Sequence, residues 1–269
     1  MIYVATVHFQ SERWIDVQLS YLRQHVNEPY RTVANLEGVP AGHEKKFDLV
    51  IDCKGDHPGK LNLMAAEISK DADDDDLIMF MDGDAFPVAD PMPTVHKGLS
   101  ESVLVAVLRS ENGGDKQPHP CFCVIRVKDW ERLHGDWSTG YCWYNDFNWY
   151  RTDVGGNLLA ALERTGSPWT PVLRSNRTDL HPWAFSVYGD IVYHHGAGFR
   201  RPNAMGDFFQ WTPKRKRHIE ALPVLGWVVR KVYSARIRTY RYRQSRRTAR
   251  MSADIYRRIQ SDPEFYRNL

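Results

Sequence analysis

The chain has 269 residues, of which 42% are hydrophobic and 26% charged, and its formal net charge is +3. This composition is that of a folded globular protein and excludes a disordered chain. No segment reaches the roughly 20 consecutive apolar residues that a membrane-spanning helix needs. The first residues lack the basic start and long apolar centre of a signal peptide, so we expect a cytoplasmic protein.

The charge is unevenly distributed along the chain. From residue 200 onward lie 18 of the 36 basic residues but only 5 of the 33 acidic residues. This asymmetry predicts an acidic body followed by a basic segment that meets an anionic partner. The cysteines do not have the spacing of a zinc site, so buried reduced thiols are expected at Cys53, Cys121, Cys123 and Cys142.

The first 90 residues predict alternating strands and helices. Apolar runs predict strands at residues 2–7, 30–36, 47–52 and 77–81. Helices are predicted between them at residues 11–25 and 59–68. This order is typical of a doubly wound α/β sheet with mostly parallel strands. The sequence has no GxGxxG and no Walker-type GxxxxGK motif, so neither a Rossmann cofactor site nor a P-loop is supported.

The rest of the chain adds further strands and a basic helix. Strands are predicted at 103–107 and 118–127, a helix at 158–164 that Gly166 ends, and a late strand with a Gly-rich turn at 188–200. Residues 225–240 place apolar side chains at three- and four-residue spacing with arginines between them. That spacing predicts a basic amphipathic helix.

The most informative motif follows the strand predicted at 77–81, where five apolar residues run directly into Asp82-Gly83-Asp84. A short apolar run without alternation is typical of a buried strand, and ligands bind at the edge of an open α/β sheet where such strands end. Asp82 and Asp84 point the same way on an extended chain and repel each other unless a cation lies beside them. Mg²⁺ and Mn²⁺ prefer such oxygen ligands, and Gly83 lets a bulky ligand approach the backbone.

This stretch resembles the DxD motif of nucleotide-sugar-dependent glycosyltransferases with the GT-A fold, and in particular inverting bacterial or phage enzymes similar to family 2. The resemblance covers residues 1–201 and implies a GT-A-like, Rossmann-like sheet, mixed but mostly parallel and flanked by helices. It also implies that Asp84 binds Mn²⁺ or Mg²⁺ and that Asp82 holds the ribose hydroxyls, the metal, or both. The metal would bridge the donor's two phosphates and absorb the charge that develops on the leaving diphosphate.

Further donor-binding residues are implied by the same resemblance. Thr6 and His8 lie at the turn after the first strand, which in the family cradles the nucleobase and ribose. Asp52 stands where the family places an acid that contacts the base or ribose, and a turn cap is an equal alternative. Lys60 at a helix start can face a phosphate, although an exposed lysine is favoured when it is taken alone. Arg200 can clamp the diphosphate or lie on a free basic face.

Two elements late in the chain complete the implied site. His194-His195 resembles the late histidine that completes the metal shell, and strand alternation leaves one of the two as the ligand. His195, beside the Gly-rich turn, is preferred and His194 is the alternative. Asp153 resembles the acceptor-side acid of inverting members and is the candidate general base. A plain helix N-cap is its alternative role, and Asp146 is the second choice.

The sequence therefore predicts a metal-dependent glycosyltransferase that moves a sugar from a nucleoside diphosphate, with UDP favoured, to an acceptor hydroxyl, with inversion preferred. The expected acceptor is a glycan or lipid-linked glycan, which the aromatic residues of segment 137–150 would contact. We expect a catalytic domain at 1–212, with a nucleotide-sugar-binding half at 1–90 and an acceptor half at 91–212. A basic helical extension at 213–269 is expected to lie on the inner face of the membrane. Its apolar face could instead only pack on the catalytic domain while its charges stay solvated.

Three alternatives remain open from the sequence. A phage-type enzyme that glycosylates DNA would have the same donor chemistry, and its basic segment would follow nucleic-acid phosphates. A sugar nucleotidyltransferase also uses paired carboxylates and Mg²⁺, but it needs a Gly-rich basic loop after the first strand, which residues 5–10 lack. A non-enzymatic nucleic-acid-binding protein would use the basic segment alone.

Overall fold

The computed structural model describes residues 1–145, 148, 150–181, 183–196 and 226–269. For residues 226–241 and 244 the description covers the backbone only. The strands are β1 Ile2–Val7, β2 Tyr30–Asn35, β3 Leu49–Val50, β4 Leu77–Asp82, β5 Ala85–Pro87, β6 Leu104–Val107, β7 His119–Arg126, β8 Trp143–Tyr144, β9 Tyr150–Arg151, β10 Thr170–Val172, β11 Ser186–Tyr188 and β12 Val192–His194. The helices are α1 Ile15–His25, α2 His57–Ile68, α3 Met92–Glu101, α4 Val127–Leu133, α5 Gly156–Thr165 and α6 Gly226–Ser261.

Seven strands form one mixed sheet in the order β10-β6-β7-β4-β1-β2-β3. β1 lies between β4 and β2 and is parallel to both, and β3 is parallel to β2. β7 is the antiparallel member, paired with β4 on one side and β6 on the other. The predicted fold class, a mixed and mostly parallel sheet flanked by helices, is confirmed.

The central strands are buried on both faces. Val4 of β1 and Met79 of β4 pack with apolar residues of α1 and α3. Their neighbours Ala5 and Phe80 face the other way and pack with α2, α4 and α5. Successive side chains of a strand point to opposite faces, so a strand covered by helices on both sides needs the unbroken apolar run that residues 77–81 carry.

A small second sheet joins the late part of the chain to the end of β4. Its strand order is β11-β12-β5, with both pairings antiparallel. β5 follows β4 after the two residues Gly83 and Asp84, and β12 pairs with β5 so that His194 lies opposite Ala85. This pairing brings residues more than 100 positions apart to the same edge of the main sheet.

The amphipathic helix predicted at 225–240 corresponds to α6, which extends further along the chain than predicted. Its last turns pack into the body, where Ile255 and Ile259 are buried in one cluster with Trp14, Tyr21 and Phe86. The expected domain boundary at 212/213 lies outside the described residues. Among the described helices, none combines the length and apolar composition that crossing a membrane requires.

Two sequence-based element predictions differ from the structure. Residues 47–52 were expected as a buried strand, but β3 has only two residues, lies at the edge of the sheet and leaves Leu49 46% exposed. A single late strand is predicted at 188–200. In the described part of this range the chain instead turns between β11 and β12 and forms a hairpin. Gly189 and Asp190 make that turn with φ values of +57° each.

Candidate active site

A cleft of about 660 Å³ opens where β1 and β4 end. The segment Asp82-Gly83-Asp84 lies in its lining, with residues from the end of β1, the start of α2, the loop after β6 and the end of β12. The lining includes the polar residues His57, Lys60, Arg109, Asn112, His119, Arg151, Asp153 and His194. The cleft thus holds both carboxylates and cationic side chains.

Asp82, Asp84 and His194 form a compact group, here called the Asp–Asp–His cluster. Each offers one ligand atom, and these atoms all lie within 4.8 Å of one another. His194 Nε2 is 3.4 Å from Asp82 Oδ2 and 3.4 Å from Asp84 Oδ1. Asp84 and His194 are buried. Two carboxylates and an imidazole suit Mn²⁺ or Mg²⁺, so these residues could hold the metal that the resemblance implies.

The electrostatics of the cluster favour a bound cation. Burial opposes a charged His194 ring, but the Cys121 sulfur and the Asp84 carboxylate outweigh it and raise the pKa of His194 well above its ordinary value. His57 Nε2 lies 3.0 Å from the other oxygen of Asp82. A proton on His194 offsets one of the two negative charges when no metal is bound, and a divalent ion would displace that proton.

The structure corrects the preference for His195 as the metal ligand. Its ring points away from the Asp–Asp–His cluster, with Nε2 2.7 Å from Ser252 Oγ and Nδ1 2.8 Å from the Tyr193 hydroxyl. Burial lowers the pKa of His195 to about 3, so the ring is neutral. Strand alternation had predicted that one histidine would face the site, but which one depends on the register of β12 against β5.

Thr6 and His8 do not line the cleft within the described part of the chain. Both are buried against Gln18 of α1, whose Oε1 lies 3.0 Å from Thr6 Oγ1 and 3.1 Å from His8 Nε2. The Gln18 amide nitrogen donates to the carbonyls of Asp82 and Ala85 at 2.9 and 2.8 Å. The side chains of Thr6 and His8 therefore contact Gln18, which in turn bonds the β4–β5 turn, and nucleobase contact through this segment stays a prediction.

Other expected donor-binding residues have mixed outcomes. Asp52 is exposed and does not belong to the described lining of the cleft, because the edge strand β3 ends in solvent. Lys60 does line the cleft, and it is only 3% exposed because it pairs with Glu37 and lies 5.0 Å from the Phe9 ring centroid. The alternative of an exposed lysine is therefore wrong. Arg200 and Asp146 lie outside the described residues.

Asp153 lies in the cleft lining as part of an ion-pair network. Its Oδ2 is 3.1 Å from Arg109 Nη2, which is also 3.2 Å from Asp115 Oδ2. Burial alone would lower the pKa of Arg109, but the two carboxylates raise it above its ordinary value. Asp115 is buried and also accepts a hydrogen bond from Asn112 at 2.7 Å. Arg109 thus holds Asp153 at the cleft, a role that no sequence motif indicated.

The alternative role of Asp153 as a helix N-cap is wrong. The N-cap of α5 is Gly155, with a φ of +88°. A Cβ atom there would lie 2.3 Å from the Pro118 carbonyl oxygen, so glycine alone fits. Asp153 therefore precedes the cap by two residues and keeps one carboxylate oxygen toward Arg109.

The aromatic segment divides between the core and the surface. Trp137 is fully buried against Phe80, with ring centroids 5.1 Å apart. Tyr144 and Tyr150 face each other across the β8–β9 hairpin, 59% and 68% exposed, with ring centroids 5.3 Å apart. Among the described residues of this segment, Tyr144 and Tyr150 are the large aromatic side chains that are mostly exposed and could contact an acceptor.

Comparison with known proteins finds similarity in structure only. No protein-family model matches the chain, and no curated protein matches its sequence. S. aureus TarS matches with a TM-score of 0.38 and 12% identity over 51% of this chain and 30% of TarS. The mannosyltransferase PcManGT from Pyrobaculum calidifontis, solved with GDP-Man and Mn²⁺, matches with a TM-score of 0.38 and 13% identity over 51% and 47%.

The galactosyltransferase LgtC, solved with donor and acceptor sugar analogs, has a TM-score of 0.36 and 11% identity over 60% of this chain and 70% of LgtC. The chain spans less than a third of TarS and about half of PcManGT. Two of these proteins, PcManGT and LgtC, are named as sugar transferases. TM-scores below 0.5 do not establish a shared fold or activity, so activity has to be argued from the residues of this chain.

Proposed function

We propose that the protein is a metal-dependent glycosyltransferase that moves a sugar from a nucleoside diphosphate to an acceptor hydroxyl. The observation that carries the proposal is the Asp–Asp–His cluster, whose ligand atoms lie within 4.8 Å of one another in the lining of a cleft. The cleft also contains a carboxylate held by an ion pair, Asp153. An inverting transfer from such a donor can use this combination, with the cation at the diphosphate and the base at the acceptor hydroxyl.

The donor's diphosphate is expected at the cluster. Asp82, Asp84 and His194 would hold Mn²⁺ or Mg²⁺, which when bound supplies Lewis-acid stabilisation of a leaving diphosphate. Lys60 and Arg151 also line the cleft, and cationic side chains attract and orient phosphate oxygens. UDP is the favoured nucleotide, by the family resemblance.

Asp153 is proposed as the general base of an inverting transfer. Its carboxylate accepts the proton of the acceptor hydroxyl while that oxygen bonds to the sugar carbon and the bond from that carbon to the diphosphate oxygen breaks. Arg109, 13% exposed and paired with both Asp153 and Asp115, holds the base in place. A retaining transfer would not need Asp153 in this role, so the anomeric configuration of the product tests it.

The proposed acceptor is a glycan, carried on a lipid at the inner membrane surface. The exposed rings of Tyr144 and Tyr150 offer faces on which sugars stack. The described side chains of α6 include exposed arginines at 243, 246, 247 and 250, which suit an anionic lipid surface. Sedimentation with vesicles of phosphatidylglycerol, but not phosphatidylcholine, is expected. Binding to duplex DNA instead would favour a DNA acceptor.

The proposal is tested by incubating the protein with a panel of nucleotide sugars and Mn²⁺ and measuring nucleoside diphosphate release. We expect release from one donor that stops when EDTA removes the metal and that is lost in Asp84→Asn. Release that is unchanged by EDTA and by Asp84→Asn would contradict the proposal. A matched variant, Asp179→Asn, replaces an exposed aspartate and is expected to be fully active.

A further inference from the structure

The C-terminal helix α6 ends against the strands that carry the Asp–Asp–His cluster. Ser252 is 8% exposed, and Ile255 and Ile259 lie on the same side of the helix at three- and four-residue spacing. Both isoleucines are buried with Trp14 and Phe86 in one hydrophobic cluster. This end of α6 is therefore fixed to the body, with a serine hydroxyl directed into it.

His195 connects α6 to the cluster. Its ring is 1% exposed, and Ser252 Oγ and the Tyr193 hydroxyl lie within hydrogen-bond distance of its two nitrogens, at 2.7 and 2.8 Å. Trp14 and Phe185 pack beside it, with ring centroids at 4.6 and 4.9 Å. A buried imidazole with both nitrogens hydrogen-bonded has one orientation.

The backbone of His195 passes this constraint to the cluster. Its N–H donates to the Asp84 carbonyl at 3.0 Å, and its carbonyl accepts from Phe185 at 3.1 Å. A planar peptide joins His195 to His194, and neighbouring side chains of a strand point to opposite faces. When the His195 ring is held toward α6, the His194 ring is therefore held on the opposite face of the strand.

We propose that the Ser252–His195 hydrogen bond positions Asp84 and His194 for metal binding. The end of α6 that packs on the body then contributes to the metal affinity of the site. This inference rests on the proposed function, since it presumes that the cluster binds a divalent ion. Ser252 and His195 are positioning residues, and neither belongs to the cleft lining in the described chain. Groups that hydrogen-bond metal ligands directly typically change metal affinity by about 10–100-fold when they are removed. Ser252 acts through His195, which is not a ligand, so an effect at the lower end of this range is expected.

The test measures the dissociation constant of Mn²⁺ alone, from the electron paramagnetic resonance signal of free Mn²⁺. Ser252→Ala is expected to weaken Mn²⁺ binding about tenfold, and Ser252→Thr, which keeps a hydroxyl, to restore most of it. Thr248→Ala is the matched control, because Thr248 lies one turn earlier on α6 and is also 8% exposed. It is expected to bind Mn²⁺ as the wild type does, whatever its effect on the unfolding temperature.

A second variant keeps the test decisive if Ser252→Ala fails to fold. Tyr193→Phe removes the other hydroxyl that contacts His195 and keeps the ring packed against Phe86 and Phe265. It is also expected to weaken Mn²⁺ binding about tenfold. Unchanged Mn²⁺ affinity in these variants, with binding lost in Asp84→Asn, would overturn this inference alone. No Mn²⁺ binding by the wild type would overturn the metal site and the inference together.

Discussion

Two strands of the main sheet lead to an aspartate. The two strand ends differ in their position in the sheet, in the exposure of the aspartate and in whether it lines the cleft. β4 lies between β1 and β7, all of its apolar residues are buried, and Asp82 at its end lines the cleft. β3 has two residues and pairs with β2 alone, and Asp52 beyond it is exposed. In the sequence both look alike, as an apolar run followed by a carboxylate.

The position of a strand in the sheet decides what its terminal carboxylate can do. The end of β4 pairs with β1, where Asp82 lies opposite Val7, and the Gln18 amide bonds the Asp82 and Ala85 carbonyls. The backbone beside Asp52 is held as well, because the Asn35 side-chain amide donates to the Ile51 and Cys53 carbonyls at 2.9 Å. The two carboxylates differ in where they lie, since Asp82 lines the cleft whereas Asp52 is exposed at the edge of the sheet.

The largest expected effect separates Asp84, which follows β4 in the Asp–Asp–His cluster, from Asp52. Asp84→Asn is expected to lower sugar transfer by more than about 1,000-fold, since a metal supplies several kcal/mol of charge stabilisation and about 1.36 kcal/mol corresponds to a factor of ten. Asp52→Asn is expected to stay within about twofold of the wild type. Steady-state rates with one donor and one acceptor measure both, and equal losses would show that the two strand ends act alike.

The next effect concerns the proposed base. Asp153→Asn is expected to lower kcat by about 10²–10⁴-fold, the usual contribution of a general base, with Mn²⁺ affinity unchanged. The exposed Asp179→Asn serves as the matched control. Single-turnover rates after donor loading measure the chemical step, and wild-type rates in Asp153→Asn would move the base role to another residue.

Stability provides a third contrast between the two strands. Phe80→Ala in β4 is expected to lower the free energy of unfolding by about 3–5 kcal/mol, because Phe80 is fully buried. Leu49→Ala in β3 removes a side chain that is 46% exposed and is expected to change it by about 0.5 kcal/mol or less. Urea denaturation measures both, and similar losses would contradict the assignment of β3 as a weakly held edge strand.

The smallest expected effect is a pH dependence of metal binding. Because the pKa of His194 is raised above its ordinary value of 6.5, Mn²⁺ must displace a proton below that pKa, and its affinity falls about tenfold per pH unit there. In the metal-free protein, protonated His194 also stabilises the fold. This contribution is fully present below pH 6.5 and is lost as the pH rises through the raised pKa of His194. Calorimetric titrations across pH measure the slope, and a slope that persists in His194→Gln would assign it elsewhere.

Local patterns in the sequence were sufficient for much of the fold. The unbroken apolar run at 77–81 predicts a strand covered on both faces, and Asp82-Gly83-Asp84 predicts carboxylates at its end. Both features depend on residues adjacent in the chain. The edge position of β3 depends on which strands pair, which a run of six residues does not encode.

Contacts between distant residues explain what the sequence did not predict. Gln18 and Arg109 carry no motif, yet one holds the β4–β5 turn and the other holds Asp153. Lys60 is buried because Glu37, from a different segment, pairs with it. The choice of His194 over His195 follows from the register of β12 on β5 and from Ser252 on α6.

The most direct test of the Asp–Asp–His cluster is thermal unfolding of the protein with nucleoside diphosphates, with and without Mn²⁺. We predict that one diphosphate stabilises the fold only when Mn²⁺ is present, by about 2.7 kcal/mol at 100 times its dissociation constant. The shift should vanish in Asp84→Asn and persist in Asp52→Asn. A shift that needs no metal, that survives Asp84→Asn, or that no nucleotide produces would contradict a metal-dependent donor site at the end of β4.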